Sequence, residues 1–293
     1  MPTAPSLRRR RLAAELRKLR EQSGLGVTDV ARRLEWQASR ISRLENRQSS
    51  ITGPDLRKLL DLYQVEDREY RAYLAELARK LNERGWWNRY AGQVTSSLAD
   101  LISLEEEART IRTYGQEVVP GLLQIPEYAQ QIFRDGWPFN TAEEVKRRVE
   151  VRMERQQVLT RPDPPPPRFS VVLGEGALRR PVGGREVMLR QLEALMRLPQ
   201  DHPNVTIQVL PFDSGVHPAM VGPFTMLTFP DPDDIGLVDL ENAVGSLFLE
   251  EPHDVRVYDE IWSTLQARAL SPDDSQAFLR TASFGYRLGE GIK

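Results

Sequence analysis

The apolar positions of the first eighty residues recur at helical spacing in five short runs. Leu12, Leu16 and Leu19 define one helix, which Ser6 can cap and Ser23-Gly24-Leu25-Gly26 ends, glycine supplying the C-terminal turn. Thr28-Asp29 opens a second helix with Val30, Ala31 and Leu34 inward, and Glu35-Trp36-Gln37 reads as the turn after it. Ala38 to Asn46 makes a third, anchored by Ile41 and Leu44. Thr52-Gly53-Pro54-Asp55 starts a fourth, since proline suits a first helical turn, and it runs to about Tyr63. A fifth begins at Asp67 and carries Tyr70, Leu74 and Leu77 on one side.

From Arg79 to about Thr160 the pattern predicts helix, broken by a turn at Val119 to Gln124. Leu98, Leu101, Leu104, Ala108 and Ile111 recur at threes and fours, Pro126 restarts a helix, and Ala142 to Leu159 forms a charged one. Pro162 to Pro167 reads as a stiff polyproline spacer. Beyond it the period falls to two. Strands are expected at Phe169 to Leu173, Val205 to Leu210, Phe224 to Phe229 and Leu237 to Leu240, with Ser246 to Leu249 as a further candidate. Helices are expected at Glu186 to Leu198, Asp254 to Ala269 and Asp273 to Ala282. The expected class is therefore α+β: an all-α five-helix domain at 1–80, a helical connecting segment at 81–161 for partner contact or dimerisation, and a mixed α/β domain at 168–293 with about four to five strands.

Composition narrows the chemistry. A chain of 293 residues, 40% hydrophobic, is enough for about two domains. It contains no run of eighteen apolar residues and no apolar leader, so a cytoplasmic protein without membrane contact is expected. The absence of cysteine excludes disulfides, thiolate zinc sites and thiol catalysis. With only His202, His217 and His253, a histidine-rich metal site is not expected, nor is a cofactor.

The net charge of −2 conceals an asymmetry. Residues 1–47 carry twelve Lys/Arg and five Asp/Glu, a balance of +7; residues 48–80 carry six of each; the remainder is left at −9. A basic head on an acidic body suits a nucleic-acid reader joined to something else. In the segment Val27 to Asn46, Ile41 and Leu44 hold a helix by its inner face, leaving Ala38, Ser39, Ser42 and Arg43 for base edges in a major groove. Arginine can grip guanine O6 and N7 with two bonds. Arg8, Arg9, Arg10, Arg11, Thr28, Arg40 and Arg47 are candidate phosphate contacts.

These strings resemble the Xre/phage-repressor type of helix-turn-helix: Leu16-Arg17-Lys18-Leu19-Arg20, Gly24-Leu25, Val30-Ala31-Arg32-Arg33-Leu34 and Ile41-Ser42-Arg43-Leu44-Glu45-Asn46. The family's usual turn glycine is Glu35 here. The resemblance implies that Arg20 and Glu45 form a structural ion pair. Further on, Gly85-Trp86-Trp87, Leu104-Glu105-x-x-Ala108, Val119-Pro120-Gly121-Leu122-Leu123-Gln124-x-Pro126-x-Tyr128-Ala129, Arg148 to Arg155, Val209-Leu210-Pro211-Phe212, Gly222-Pro223-Phe224 and Leu240-Glu241 occur in order. Together they resemble the WhiJ-like actinomycete regulators. That resemblance implies a regulator of development or antibiotic production with a small partner protein encoded nearby, the pair being toxin–antitoxin-like.

No phosphate loop, dinucleotide fingerprint, His-Glu-x-x-His or Gly-x-Ser-x-Gly is present, so no enzyme is expected. Gly174-Glu175-Gly176 reads as a strand-ending turn, Glu105-Glu106-Glu107 as a solvated face, and His217 as loop filler; a hydrolase using Glu241 or His217 is the enzymatic alternative. The acidic body is expected to dimerise, to bind the partner protein, or to enclose a small effector. Trp86, Trp87, Tyr114, Tyr128, Trp137, Phe224 and Phe229 are candidates for an effector pocket, with core packing as the alternative role for each.

Overall fold

A computed structural model describes residues 7–46, 49, 51–82, 85–90, 92–136, 141–230, 234–242 and 245–288, without the side chains of 7–10 and 80–82. The chain divides into two compact units, 1–88 and 89–293.

In the first unit the helical periodicity folds as read. The helices are α1 (Leu7–Gln22), α2 (Val27–Leu34), α3 (Ala38–Glu45), α4 (Gly53–Leu62) and α5 (Arg68–Asn82). Each contributes its apolar stripe to one core: Leu12, Leu16 and Leu19, then Val30 and Ala31, Ile41 and Leu44, Leu56, Leu59 and Leu60, and finally Leu74 and Leu77. Thr52 caps α4 by accepting from the Asp55 N–H, with proline in the first turn.

The turn between α2 and α3 is strained at one residue. Glu35 sits in the left-handed region at φ 57°, ψ 36°, while the Trp36 N–H returns to the Ala31 carbonyl at 2.8 Å. A side chain there costs about 1–2 kcal/mol, and glycine would avoid it while losing more backbone entropy on folding. Glu35→Gly is therefore expected to stabilise this unit by ~0.5–1 kcal/mol in urea denaturation, and Glu35→Ala to give no such gain. Equal midpoints for the glycine and alanine variants would show that the turn carries no strain.

The second unit is built on a six-stranded sheet of order β3-β2-β1-β4-β5-β6. The strands are β1 (Thr110–Gly115), β2 (Arg168–Gly174), β3 (Val205–Leu210), β4 (Phe224–Thr228), β5 (Leu237–Asn242) and β6 (Gly245–Leu249). β1 pairs parallel to β2, and β2 to β3; β1–β4, β4–β5 and β5–β6 are antiparallel. The helices of this unit are α6 (Ser96–Glu107), α7 (Pro126–Gly136), α8 (Ala142–Gln156), α9 (Glu175–Arg179), α10 (Gly184–Asp201), α11 (Pro252–Arg268) and α12 (Pro272–Leu288). The α+β class stands, with six strands among the described residues rather than four to five.

The segment 81–161 is not the helical connector that the spacing predicts. α6 stops at Glu107, Ala108 is extended, and Ile111 lies fully buried on β1, an inner strand of the sheet. β-Branched Thr110, Ile111 and Thr113 with Tyr114 favour strand, and this overrides a leucine period that happens to continue through Ile111. Nor does the proline run separate two bodies. It joins α8 to β2 inside one unit, and the Asn204 amide ties it down by donating to the carbonyls of Leu159 at 3.1 Å and Pro167 at 3.0 Å.

Candidate functional site

The first candidate surface is the outer face of α3. Ile41 and Leu44 are buried, which fixes the helix by its inner side and leaves Ser39 and Arg43 exposed. Arg43 lies back along that face, its Nε donating to the Ser39 carbonyl at 3.3 Å. Ser42 is half-buried and its hydroxyl accepts from Asn46 Nδ2 at 3.1 Å. Ala38 is half-buried and packs against the core, so less of it is presented than the sequence implies. Thr28 is exposed in the first turn of α2, and Arg11 is half-buried on α1. Arg40 is turned inward instead: it pairs with Asp55 at the start of α4 and lies over the Trp36 ring at 4.0 Å. The side chains of Arg8, Arg9 and Arg10, together with Arg47, lie outside the described residues.

Behind this face Arg20 grips Glu45 with two bonds, Nε to Oε1 at 2.6 Å and Nη2 to Oε2 at 2.9 Å. Its Nη1 donates to the Leu25 carbonyl at 3.0 Å. The guanidinium thus joins the end of α1, the turn before α2 and the last residue of α3. A planar fork does this better than a lysine could.

The second candidate is a cavity of about 540 Å³ in the other unit. Its charged lining comes from α6, α8 and β5, with Glu117 from the loop after β1. Glu105 is 1% exposed and receives both Nε and Nη2 of Arg155, at 2.6 and 2.7 Å. This corrects the reading of Glu105 as part of a solvated face: one carboxylate of the triple-glutamate run turns inward because Arg155 awaits it. Arg152, one turn before Arg155, lies over the Phe133 ring at 4.6 Å and donates to Gln124 Oε1 at 2.8 Å. Gln124 is itself held by donating to the Val119 carbonyl at 2.7 Å. Gly121 lets the guanidinium approach, since a Cβ there would stand 3.2 Å from Arg152 Nη1. The Val119 to Gln124 string is therefore a clamp that positions Arg152. Burial, with Arg155 beside it, lowers the Arg152 pKa to about 10.

Asp239 on β5 also lines the cavity. It is 3% exposed, and its Oδ1 has no hydrogen-bond partner. Burial pushes its carboxyl up to about 7; Glu241 and Glu105 add to the rise, while the Ser246 hydroxyl and Arg155 oppose it. Sequence reasoning takes Glu105 for a solvated face, uses Arg148 to Arg155 only as a resembling string, and gives Asp239 no role beyond a strand. The available signal was the spacing of the three arginines, which repeat at four and three and so share one face of α8.

Two of the aromatic residues expected from sequence reach the cavity. Tyr114 and Phe224 line the cavity with centroids 6.1 Å apart. Tyr128 is core, its hydroxyl accepting from the Val119 N–H at 3.2 Å. Phe229 is buried outside the cavity lining. Trp86 and Trp87 belong to the other unit, packed edge-to-face at 5.8 Å, and Trp137 lies outside the described residues. Glu241 lines the cavity but His217 does not; His217 meets the Tyr114 ring edge-on at 5.7 Å, and burial lowers its pKa.

These two regions define a helix-turn-helix protein with a long α+β C-terminal unit. Residues 11–74 match the family described as helix-turn-helix domain. Residues 98–281 match the family described as domain of unknown function (DUF5753), and the chain belongs to that family. No curated protein and no solved structure matches the chain. Among the described residues no helix is long and apolar enough to cross a membrane.

Proposed function

We propose that the protein is a cytoplasmic, sequence-specific transcriptional regulator that reads double-stranded DNA with α3. The observation that carries this reading is the two-sidedness of α3: Ile41 and Leu44 buried, Ser39 and Arg43 exposed, and the helix end pinned by Arg20 to Glu45. Arg43 and Ser39 supply base contacts, with Ala38 and Ser42 at the margin of that face. Thr28 and the basic residues of the N-terminal head contact phosphates. A homodimer suits this reading, because one half-site gives too little specificity and two-fold operators need two readers.

The C-terminal unit acts by binding, taking a small effector or a small partner protein encoded nearby, as in the WhiJ-like regulators its strings resemble. The cavity supports the effector role: Arg152 and Asp239 both line it. An antitoxin that represses its own operon fits the same architecture, and co-purification of the neighbouring gene product distinguishes it.

The test is an operator selected from random duplexes with the full chain. Arg43→Ala is expected to weaken binding to it by ~1–3 kcal/mol while non-specific affinity barely changes. Affinity should also fall steeply with salt. A gel-shift series in which Arg43→Ala binds the operator like the parent would remove α3 as the reading element.

A further inference from the structure

The cavity of the C-terminal unit holds ionisable groups of both signs that no opposite charge contacts directly among the described residues. Arg155 is satisfied by Glu105. Arg152, by contrast, has a neutral amide and an aromatic ring as its direct partners; Glu241 and Glu105 act on it only through space, and no carboxylate forms an ion pair with it among the described residues. Arg148, one turn earlier on the same face of α8, has a buried Nε without a hydrogen-bond partner. On β5, Asp239 is more than nine-tenths buried and its Oδ1 also lacks a partner. All three line the same cavity, together with Leu98, Tyr114, Phe133 and Phe224.

Buried polar groups without partners are costly, and charged ones more so, so their convergence on one cavity calls for a ligand that completes them. At about 540 Å³ the space lies within the range of small-molecule sites, about 300–1,000 Å³. A purely anionic ligand would satisfy the arginines and leave Asp239 unpaired. A purely cationic one would do the reverse. A ligand carrying both charges on an apolar frame answers all three groups and the aromatic walls at once.

We infer that the cavity binds a small amphipathic zwitterion, with its carboxylate on Arg152 and Arg148, its ammonium group at Asp239, and its side chain against Tyr114, Phe133 and Phe224. This deepens the effector reading of the C-terminal unit and rests on it, but not on DNA recognition by α3.

The test is calorimetric titration of the full chain with two zwitterions of different size, L-phenylalanine and L-leucyl-L-phenylalanine. The N-acetyl form of each removes the positive charge, and the C-terminal amide of each removes the negative one. At least one zwitterion is expected to bind ~10-fold or more tightly than both of its singly charged forms. Arg152→Gln should abolish the preference over the amide, and Asp239→Asn the preference over the N-acetyl form. Thermal melts of both variants check that the unit stays folded, and Leu98→Phe offers a folded alternative that blocks the cavity by volume. No preference for either zwitterion, or a preference that survives both charge variants, would overturn the proposal. Operator binding measured on the same samples separates the two failures: Arg43→Ala should weaken operator binding and keep the zwitterion preference, and Arg152→Gln should keep operator binding and lose the preference over the amide.

Discussion

Arg155→Ala is expected to destabilise the C-terminal unit by ~3–5 kcal/mol, the largest effect of any single substitution considered. The reason is what it leaves behind. Glu105 is 1% exposed and has both carboxylate oxygens on the Arg155 guanidinium, at 2.6 and 2.7 Å. Burial alone would lower the arginine pKa, yet Glu105 more than offsets it and the pKa is raised. Removing the arginine leaves the buried Glu105 carboxylate without its hydrogen-bonded partner, with Asp239 as an acidic neighbour and Arg152 as a cation acting only through space. The control is Glu105→Leu with Arg155→Met, which removes both charges and should recover most of the loss, because a well-packed apolar pair avoids the desolvation penalty. Denaturant unfolding of the full chain, followed by amide exchange so that the two units are read separately, measures this. A loss below ~1 kcal/mol would mean that the pair behaves as a solvent-screened surface bridge.

Periodicity made the N-terminal unit legible because each of its helices buries one stripe and wets the other. Leu12, Leu16 and Leu19 could not be mistaken for a strand. The same rule failed at β1. A strand with neighbours on both sides, buried at Ile111, Thr113 and Tyr114, shows little alternation, and Ile111 continued the spacing of Leu98, Leu101 and Leu104 by coincidence. Resemblance, not spacing, pointed to the bond between Arg20 and Glu45. For the C-terminal unit, recurring strings marked the right places but not their chemistry. Val119 to Gln124 is a specific string whose use, holding Arg152 through Gln124 and Gly121, depends on a helix about thirty residues away. Glu105 was misread because three adjacent glutamates look alike in sequence, and only the presence of Arg155 on α8 decides which one turns inward.

Asp239→Asn is expected to change how stability depends on pH. The folded chain raises the Asp239 carboxyl from an ordinary 3.8 to about 7, so between those values the native state holds a proton that the unfolded state has lost. Where the native state binds more protons, stability falls as pH rises. The contribution is thus intact below pH ~4, is eroded through the interval, and is gone above pH ~7. A shift of about three units sets a ceiling of ~4 kcal/mol, at 1.36 kcal/mol per unit. The groups that face Asp239 are Glu105 from α6, Arg155 from α8, Glu241 on its own strand and Ser246 from β6. The two glutamates support the rise, and Arg155 and the serine hydroxyl oppose it, so burial decides the sign. Asparagine keeps the shape and cannot ionise. Urea unfolding of parent and variant across pH 4 to 8 should therefore converge at the acid end and separate toward pH 8, where the variant becomes the more stable by ~2–4 kcal/mol. Titrations of groups that do not face Asp239 are common to both proteins and cancel in the comparison. Parallel curves would mean that the ionised carboxylate is accommodated as well in the cavity as in water, and the unpaired acceptor would then be no reason for a ligand's ammonium group to sit there.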